Sequence, residues 1–434
     1  MSTLTYADGV PQPLVVRTMA VADPGALLDL LPLDAPLAWV RRGDGLVGWG
    51  EVLRVPVSGT DQFAAAQRAW HDALAHAVVR DEVQLPGTGP VAFASFAFDE
   101  DSPAGSVLVV PRVVVGRRGS RTWLTTIDTG ATIGAAPSLA AAVRGRTPVT
   151  APGTVTYARG ALDAAGWRDA VTRAVAAIRA GELDKVVLAR DVVARTARPL
   201  DPRWVLGRLG ADYPSCWTFC VDGMVGATPE LLVRSEKGLV TSRVLAGTIR
   251  RTGDDDADLA RAAILAHSSK DLEEHEYAVC SVADALAPFC SSTNVPDVPF
   301  VLHLPNVLHL ASDVTGVLAA AHPGHGATPS SLALAAALHP TAAVCGTPTR
   351  AARALIAQTE GMDRARYAGP VGWLGADGDG EWGIALRCAE VDPHDARRVR
   401  LFAGCGIVAA SDPGAELAES EAKLVPMRHA LAAD

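Results

Sequence analysis

The chain has 434 residues, of which 49% are apolar and 20% charged, with a formal net charge of −9. That is a globular composition, large enough for two or three domains or one extended mixed-sheet unit, and it excludes a disordered chain. The negative balance excludes nucleic acid and anionic membrane as general partners, while an anionic substrate met by a local cation stays possible.

In chain order, residues 1–150 read as strands and turns with one helix. The segment 36–54, PLAWVRRGDGLVGWGEVLR, predicts a hairpin turning at Gly43-Asp44-Gly45. Gln62–Ala77 is Ala-rich and predicted helical, and Val91–Phe98 and Ser106–Val115 are predicted buried strands. The Ala/Pro/Gly-rich stretch 135–153 is the expected boundary or long connection, dividing a mostly β N-terminal part (1–150) from a second part (151–434) of the same folding unit. A helix is expected over Ala164–Ala180, with apolar Trp167, Val171, Val175 and Ile178 on one face and Gly181 as its C-cap. A strand follows at Lys185–Ala194. Next comes a meander: Cys216–Val221, a turn at Asp222-Gly223, Glu230–Arg234, a turn at Lys237-Gly238, and Leu239–Leu245. Helices fit Asp254–Ala266 and Ser269–Ala287. A later block repeats the pattern with strands Gly369–Leu374 and Trp382–Val391 around GADGDG, then Val399–Ala403 and a closing helix Gly414–Leu431. This order predicts an α+β fold of large antiparallel sheets with helices packed outside.

The seven cysteines show no CxxC spacing and are expected to be buried free thiols in a reducing cytoplasm. The N-terminal segment has no basic or apolar region of a secretion signal. No apolar run is long enough for a membrane span, because the Ala-rich stretch 316–344 is interrupted by His, Pro and Gly.

Only four of the 39 basic residues are lysine: Lys185, Lys237, Lys270 and Lys423. Lysine can lose its proton when desolvated, and arginine does not. Lys237 lies in a solvent-facing turn pattern and carries no assigned role. Lys185 opens an apolar strand, where a dry setting lowers its pKa toward that of a base; the bland reading is an edge lysine that snorkels. Glu230 follows Pro229 and precedes three apolar residues, a setting that keeps a carboxyl protonated and suits a general acid; the alternative is an edge-strand ion pair. Asp271 and Glu274 share one helix face, as do Glu416, Glu419 and Lys423. Two such acidic faces can converge on a hard cation such as Mg²⁺, although acids at this spacing also mark solvated faces. Glu273, Glu276 and Glu421 point elsewhere and read as surface charge.

These pieces resemble the chorismate-utilising enzyme family, and within it the isochorismate synthases. The resemblance rests on LDKVVLAR (183–190), GATPELLVR (226–234), RVLAGTIRR (243–251), SSKDLEEH (268–275), LPNVLHL (304–310), ALHPTAAVCGTP (337–348), RYAGPVGW (366–373), IALRCAEV (384–391), FAGCGIV (402–408) and ELAESEAKL (416–424). These cover nearly all of 155–430 in the family's order. The resemblance implies one large α+β unit with the site between its sheets. It implies Lys185 as the base that activates water and Glu230 as the general acid. Glu274 and Glu419 match the family's Mg²⁺-binding glutamates, with Asp271 and Glu416 as their helix-turn neighbours; Asp271 stands where many members have Glu. Tyr367, Arg387, Gly404, Gly406 and Lys423 match positions that hold the substrate carboxylates. Gly247 and Thr248 match the loop lining the ring, and His309 lies beside the site. The implied reaction is the Mg²⁺-dependent conversion of chorismate to isochorismate, feeding menaquinone or a siderophore.

Within the family, Lys185 argues for water rather than ammonia as nucleophile, so no glutaminase subunit is implied. Ala343 is small and apolar where salicylate-forming relatives carry a hydroxyl, which favours release of isochorismate over a salicylate synthase. A non-catalytic chorismate-binding paralogue is the reading from another class, and the intact Lys185, Glu230, Glu274 and Glu419 argue against it. A cytoplasmic monomer is expected, because no exposed heptad or long apolar stripe asks for a partner.

Overall fold

The computed structural model describes residues 13–130, 138–319 and 328–433. The extreme N-terminus, the start of the 135–153 stretch and the middle of 316–344 lie outside these residues. Among those described, two large sheets dominate, one of 13 strands and one of 10. The ladders are antiparallel except for the parallel pairing of Leu14–Ala20 with Val78–Asp81. Phe93, Phe96, Phe219, Trp39 and Trp382 are fully buried and belong to one hydrophobic core that takes residues from both sheets. This is the α+β architecture expected from the strand and helix order.

Three hairpins show why local sequence sets the turns. Arg42-Gly43, Asp222-Gly223 and Lys237-Gly238 each put two consecutive residues at positive φ (53° and 81°, 49° and 82°, 50° and 83°). This backbone matches the right-handed twist of the flanking strands, and its second position favours glycine. The first hairpin therefore turns one residue earlier than expected. Asp44 already pairs with Arg41 across the ladder and opens strand Asp44–Trp49.

The larger departure concerns the meander, which is divided between the two sheets. Trp217–Val221 and Met224–Thr228 form a hairpin in the 13-stranded sheet. After Pro229-Glu230 the chain crosses over, and Leu231–Glu236 and Leu239–Arg250 lie in the 10-stranded sheet. The later block makes the reverse crossing. Pro370–Gly375 and Gly380–Ile384 belong to the 10-stranded sheet, and Cys388–Val391 and Arg398–Ile407 to the other. The strand expected over Trp382–Val391 is thus broken at 385–387, where Arg387 takes φ +47°. The two crossings are neighbours: Gly226 pairs with Cys388 on one side and Leu231 with Gly383 on the other.

Helix Ser269–Leu286 buries Ala278, Val279, Val282 and Leu286 against strands Leu239–Arg250 and Val307–Leu318. Its N-cap is Ser268, whose hydroxyl accepts from the Asp271 amide. Helix Pro413–Leu431 starts with Asp412 as N-cap and proline at its first position, and it packs on strand Arg398–Ile407. The twelve-residue strand Val307–Leu318 and the helices Pro202–Asp212, Ser331–Leu338 and Thr349–Thr359 were not anticipated as elements. Five cysteines are buried as expected, but Cys290 is only half-buried and Cys280 is exposed; all seven are free thiols. Among the described residues no helix is long and apolar enough to cross a membrane.

Candidate active site

The crossings open a cavity of about 590 Å³, counting solvent at its mouth. One wall comes from the 13-stranded sheet through Val187, Ala189, Gly404 and Gly406, and the other from Leu245 to Thr248 and His309 in the 10-stranded sheet. Glu230 and Arg387 line it from the crossing segments, Glu274 and Lys423 from the two acidic helices, and Ala343 and Tyr367 from loops. Gly247 sits at a β-bulge: Ala246 faces Leu310 and Thr248 faces His309, so Gly247 has no partner of its own. The bulge re-aims Thr248 into the cavity. Gly247 has φ +80°, and a Cβ there would stand 2.9 Å from the Asp271 Cβ. Gly406 is needed for space alone, because a Cβ at that position would meet the Glu274 carboxylate.

Each lysine other than Lys237 pairs with one helix carboxylate. Lys185 Nζ lies 3.4 Å from Glu274 Oε1 and donates to the Glu274 carbonyl at 3.3 Å. Lys270 Nζ lies 2.8 Å from Glu416 Oε1, and Lys423 Nζ lies 2.6 Å from Glu419 Oε1 while donating to the Gly404 carbonyl. Lys185 is completely buried, behind Glu274 and off the cavity lining. Burial holds its ammonium below the ordinary lysine range, against the opposing pull of Glu274. Burial would raise Glu274, but Lys185, Lys423 and Lys270 outweigh it and keep the carboxyl below its usual range. Burial pushes the Glu230 carboxyl up to about 8, overriding Lys185, Arg387 and Lys423. Burial thus moves the two groups in opposite senses, Lys185 down and Glu230 up, with Glu230 on the cavity lining and Lys185 behind it.

Arg387 Nη2 donates to His309 Nε2 at 3.0 Å. A guanidinium only donates, so Nε2 is unprotonated and the His309 proton is on Nδ1, 3.0 Å from the Thr248 hydroxyl. Burial, then Arg387, keeps His309 neutral by lowering its pKa well below the usual value. The guanidinium keeps its remaining donors for an anionic ligand.

The two helix carboxylates suit a hard cation. Carboxylate oxygens of Glu416 and Glu419 and the Cys405 sulfur lie within 4.8 Å of one another. Glu416 is almost fully buried, yet its Oε2 has no hydrogen-bond partner. A buried carboxylate oxygen left bare is costly unless something cationic meets it. Burial, then Glu419, raises the Glu416 pKa. Glu274 is near enough to act on Lys270 together with Glu416 and Glu419. Asp271 instead accepts from the Ser268 hydroxyl at its own helix cap.

Some participants were not singled out from the sequence. Arg364 lines the cavity while paired with buried Glu360, an i, i+4 pair that was readable as a charge pattern. Lys270 stands out in the sequence for its rarity and for its segment, but not as the partner of Glu416. Glu421 is not plain surface charge, since it bridges Arg190 at 2.7 Å and Arg428 at 2.8 Å.

The family model described as chorismate binding enzyme matches residues 37–432. The isochorismate synthase DhbC of Bacillus subtilis is 39% identical over 279 residues, covering 62% of this chain and 68% of that protein. A salicylate biosynthesis isochorismate synthase of Pseudomonas aeruginosa is 35% identical over 92% of this chain and 85% of its own length. Among solved structures, the menaquinone-specific isochorismate synthase MenF of Escherichia coli superposes with a TM-score of 0.78 at 26% identity, covering 97% of this chain and 95% of that one.

Proposed function

The chain belongs to the chorismate binding enzyme family, and from that membership we propose that it is an isochorismate synthase whose chemistry is carried by Lys185 and Glu230. The observation that carries the proposal is the opposed pair: a fully buried lysine behind Glu274 with its pKa lowered, and a buried glutamate lining the cavity with its pKa pushed up to about 8. For Lys185 to act, its amine must part from the Glu274 carboxylate 3.4 Å away and reach the cavity. Lys185 then takes a proton from water, and the water oxygen bonds to ring C2 of chorismate. The ring double bonds shift, the C4–O bond breaks, and Glu230 gives its proton to the departing hydroxyl, which leaves as water. Atoms balance with no co-reactant. Arg387, held by His309, meets one substrate carboxylate, with Tyr367, Gly404, Gly406 and Lys423 around it. Gly247 and Thr248 face the ring. Positioning and charge do most of the work.

Glu274 and Glu419, with Asp271 and Glu416 beside them, are the residues we assign to Mg²⁺. When bound, it supplies positive charge for the ring carboxylate. Glu419→Gln is expected to weaken Mg²⁺ affinity at least about 10-fold, so that turnover needs correspondingly more Mg²⁺, the lower end of what loss of even an outer-sphere partner costs. A Mg²⁺ titration of turnover that matches wild type would reject Glu419 as a ligand.

The test of the activity is a product assay with chorismate and Mg²⁺, and a parallel sample with EDTA. Isochorismate without pyruvate, lost in EDTA, is the expected result. Salicylate with pyruvate would move the protein to the lyase branch, and binding without turnover would make it a non-catalytic relative. Ala343 lines the cavity without any hydrogen-bonding group. Ala343→Thr is expected to divert part of the product to salicylate and pyruvate; an unchanged product ratio would put the discriminating contact elsewhere. Water as nucleophile requires no glutaminase subunit. A cytoplasmic monomer serving menaquinone or siderophore synthesis fits this reading, and the Escherichia coli relative is menaquinone-specific.

A further inference from the structure

Cys405 lies between Gly404 and Gly406 on strand Arg398–Ile407, and alternation turns its side chain away from the cavity they line. Its sulfur faces the closing helix, where it makes only a weak thiol contact with the Glu416 carbonyl at 3.3 Å. That direction brings it to the two carboxylates: Cys405, Glu416 and Glu419 are the one group of three metal-capable side chains found among the described residues. A second, independent observation points to a ligand there. Glu416 Oε2, on a side chain only 1% exposed, has no hydrogen-bond partner. The Ser411 hydroxyl is near enough to the Glu416 carboxylate to favour its charged form.

A hard cation draws on oxygen alone and gains little from sulfur. A thiolate is the ligand that selects zinc-like cations. Donor atoms on one tetrahedral zinc stand about 3.5 Å apart, so small rotamer changes within the present spacing would bring the three together. Glu419, with 23% of its side chain exposed, leaves a path from solvent.

We propose that Cys405, Glu416 and Glu419 form a sulfur-containing site for a thiophilic divalent cation of the zinc class, which competes with the hard cation for Glu419 and so inhibits the enzyme. The inference rests on reading Glu416 and Glu419 as a cation site, and adds the sulfur. On binding, the metal–sulfur bond forms as the thiol proton leaves to solvent, with no change of oxidation state.

Co²⁺ is the spectroscopic probe, added to the whole protein, to Cys405→Ala and to Cys405→Ser. Wild type is expected to show a thiolate-to-cobalt charge-transfer band in the near ultraviolet that neither variant shows. The exposed Cys280 is retained in all three proteins, so any band it contributes cancels in the difference. Zn²⁺ affinity, read by competition with a chromophoric chelator, is expected to fall at least about 10-fold in Cys405→Ser. Mg²⁺ affinity by calorimetry should change less than that. Should both variants misfold by near-ultraviolet circular dichroism, Cys280→Ala decides instead: the sulfur band must persist in it, and its loss would overturn the proposal. Co²⁺ binding without a sulfur band would overturn the proposal and leave the acidic Mg²⁺ site standing. Binding of neither Co²⁺ nor Mg²⁺ would overturn both.

Discussion

Lys185→Met is expected to lower turnover of chorismate by about 10²–10⁴-fold, the range set by loss of a positioned general base. Mg²⁺-dependent binding of chorismate should remain measurable by calorimetry. Methionine is the informative replacement because Lys185 is fully buried and opens an apolar strand. It keeps most of the stem volume, whereas alanine would add a cavity to the loss of charge. Removing one member of a buried ion pair costs about 3–5 kcal/mol when the other is left alone. Here Lys423 and Lys270 also act on Glu274, so the penalty should fall below that range. Lys185→Arg separates the two duties of the side chain. It keeps the positive charge beside Glu274 and cannot shed it, so it should bind substrate and still fail to add water. Turnover within a few-fold of wild type in the methionine or arginine variant would remove Lys185 as the base.

The parts legible in the sequence share one property: they depend on a few neighbouring residues. The turns at Asp222-Gly223 and Lys237-Gly238 follow from local backbone preference. The acidic helix faces follow from 3.6-residue periodicity, and Glu230 stands out because proline and three apolar residues flank it. What stayed hidden is long-range. Alternation marks a strand without saying which sheet receives it, so the crossings at Pro229-Glu230 and at 385–387 were invisible. Those crossings set the shape of the cavity and bring Glu230 beside Arg387. The pairings of Lys185 with Glu274 and Lys270 with Glu416 were hidden for the same reason, since Lys270 and Glu416 are far apart in sequence and 2.8 Å apart in space. His309 was placed beside the site by resemblance, but its neutral state needs the Arg387 contact and the depth of burial to be known.

Glu230→Gln is expected to match the Lys185 variants in loss of turnover, about 10²–10⁴-fold, while leaving the fold intact or firmer. Burial pushes the Glu230 carboxyl up to about 8, so at neutral pH it is mostly uncharged already. Glutamine preserves shape and charge at that pH and lacks only the transferable proton. The sign of the pH dependence follows. Wild-type kcat/KM needs Glu230 protonated, so it should fall as pH rises through about 8. Its acid limb belongs to Lys185, which must be neutral and becomes more so as pH rises. The two groups act on each other, so the limbs report the pair rather than either residue. Stability moves with the same sign. Folding raises the Glu230 pKa from 4.5 to about 8, so the native state binds more protons than the unfolded chain across that window. The wild type therefore loses stability as pH climbs through it, by up to a few kcal/mol in order of magnitude, and the glutamine variant does not. Thermal unfolding above pH 8 should show the inactive variant to be the more stable protein. An alkaline limb in the residual activity of the variant identical to that of wild type would mean that another group supplies the proton to the C4 hydroxyl.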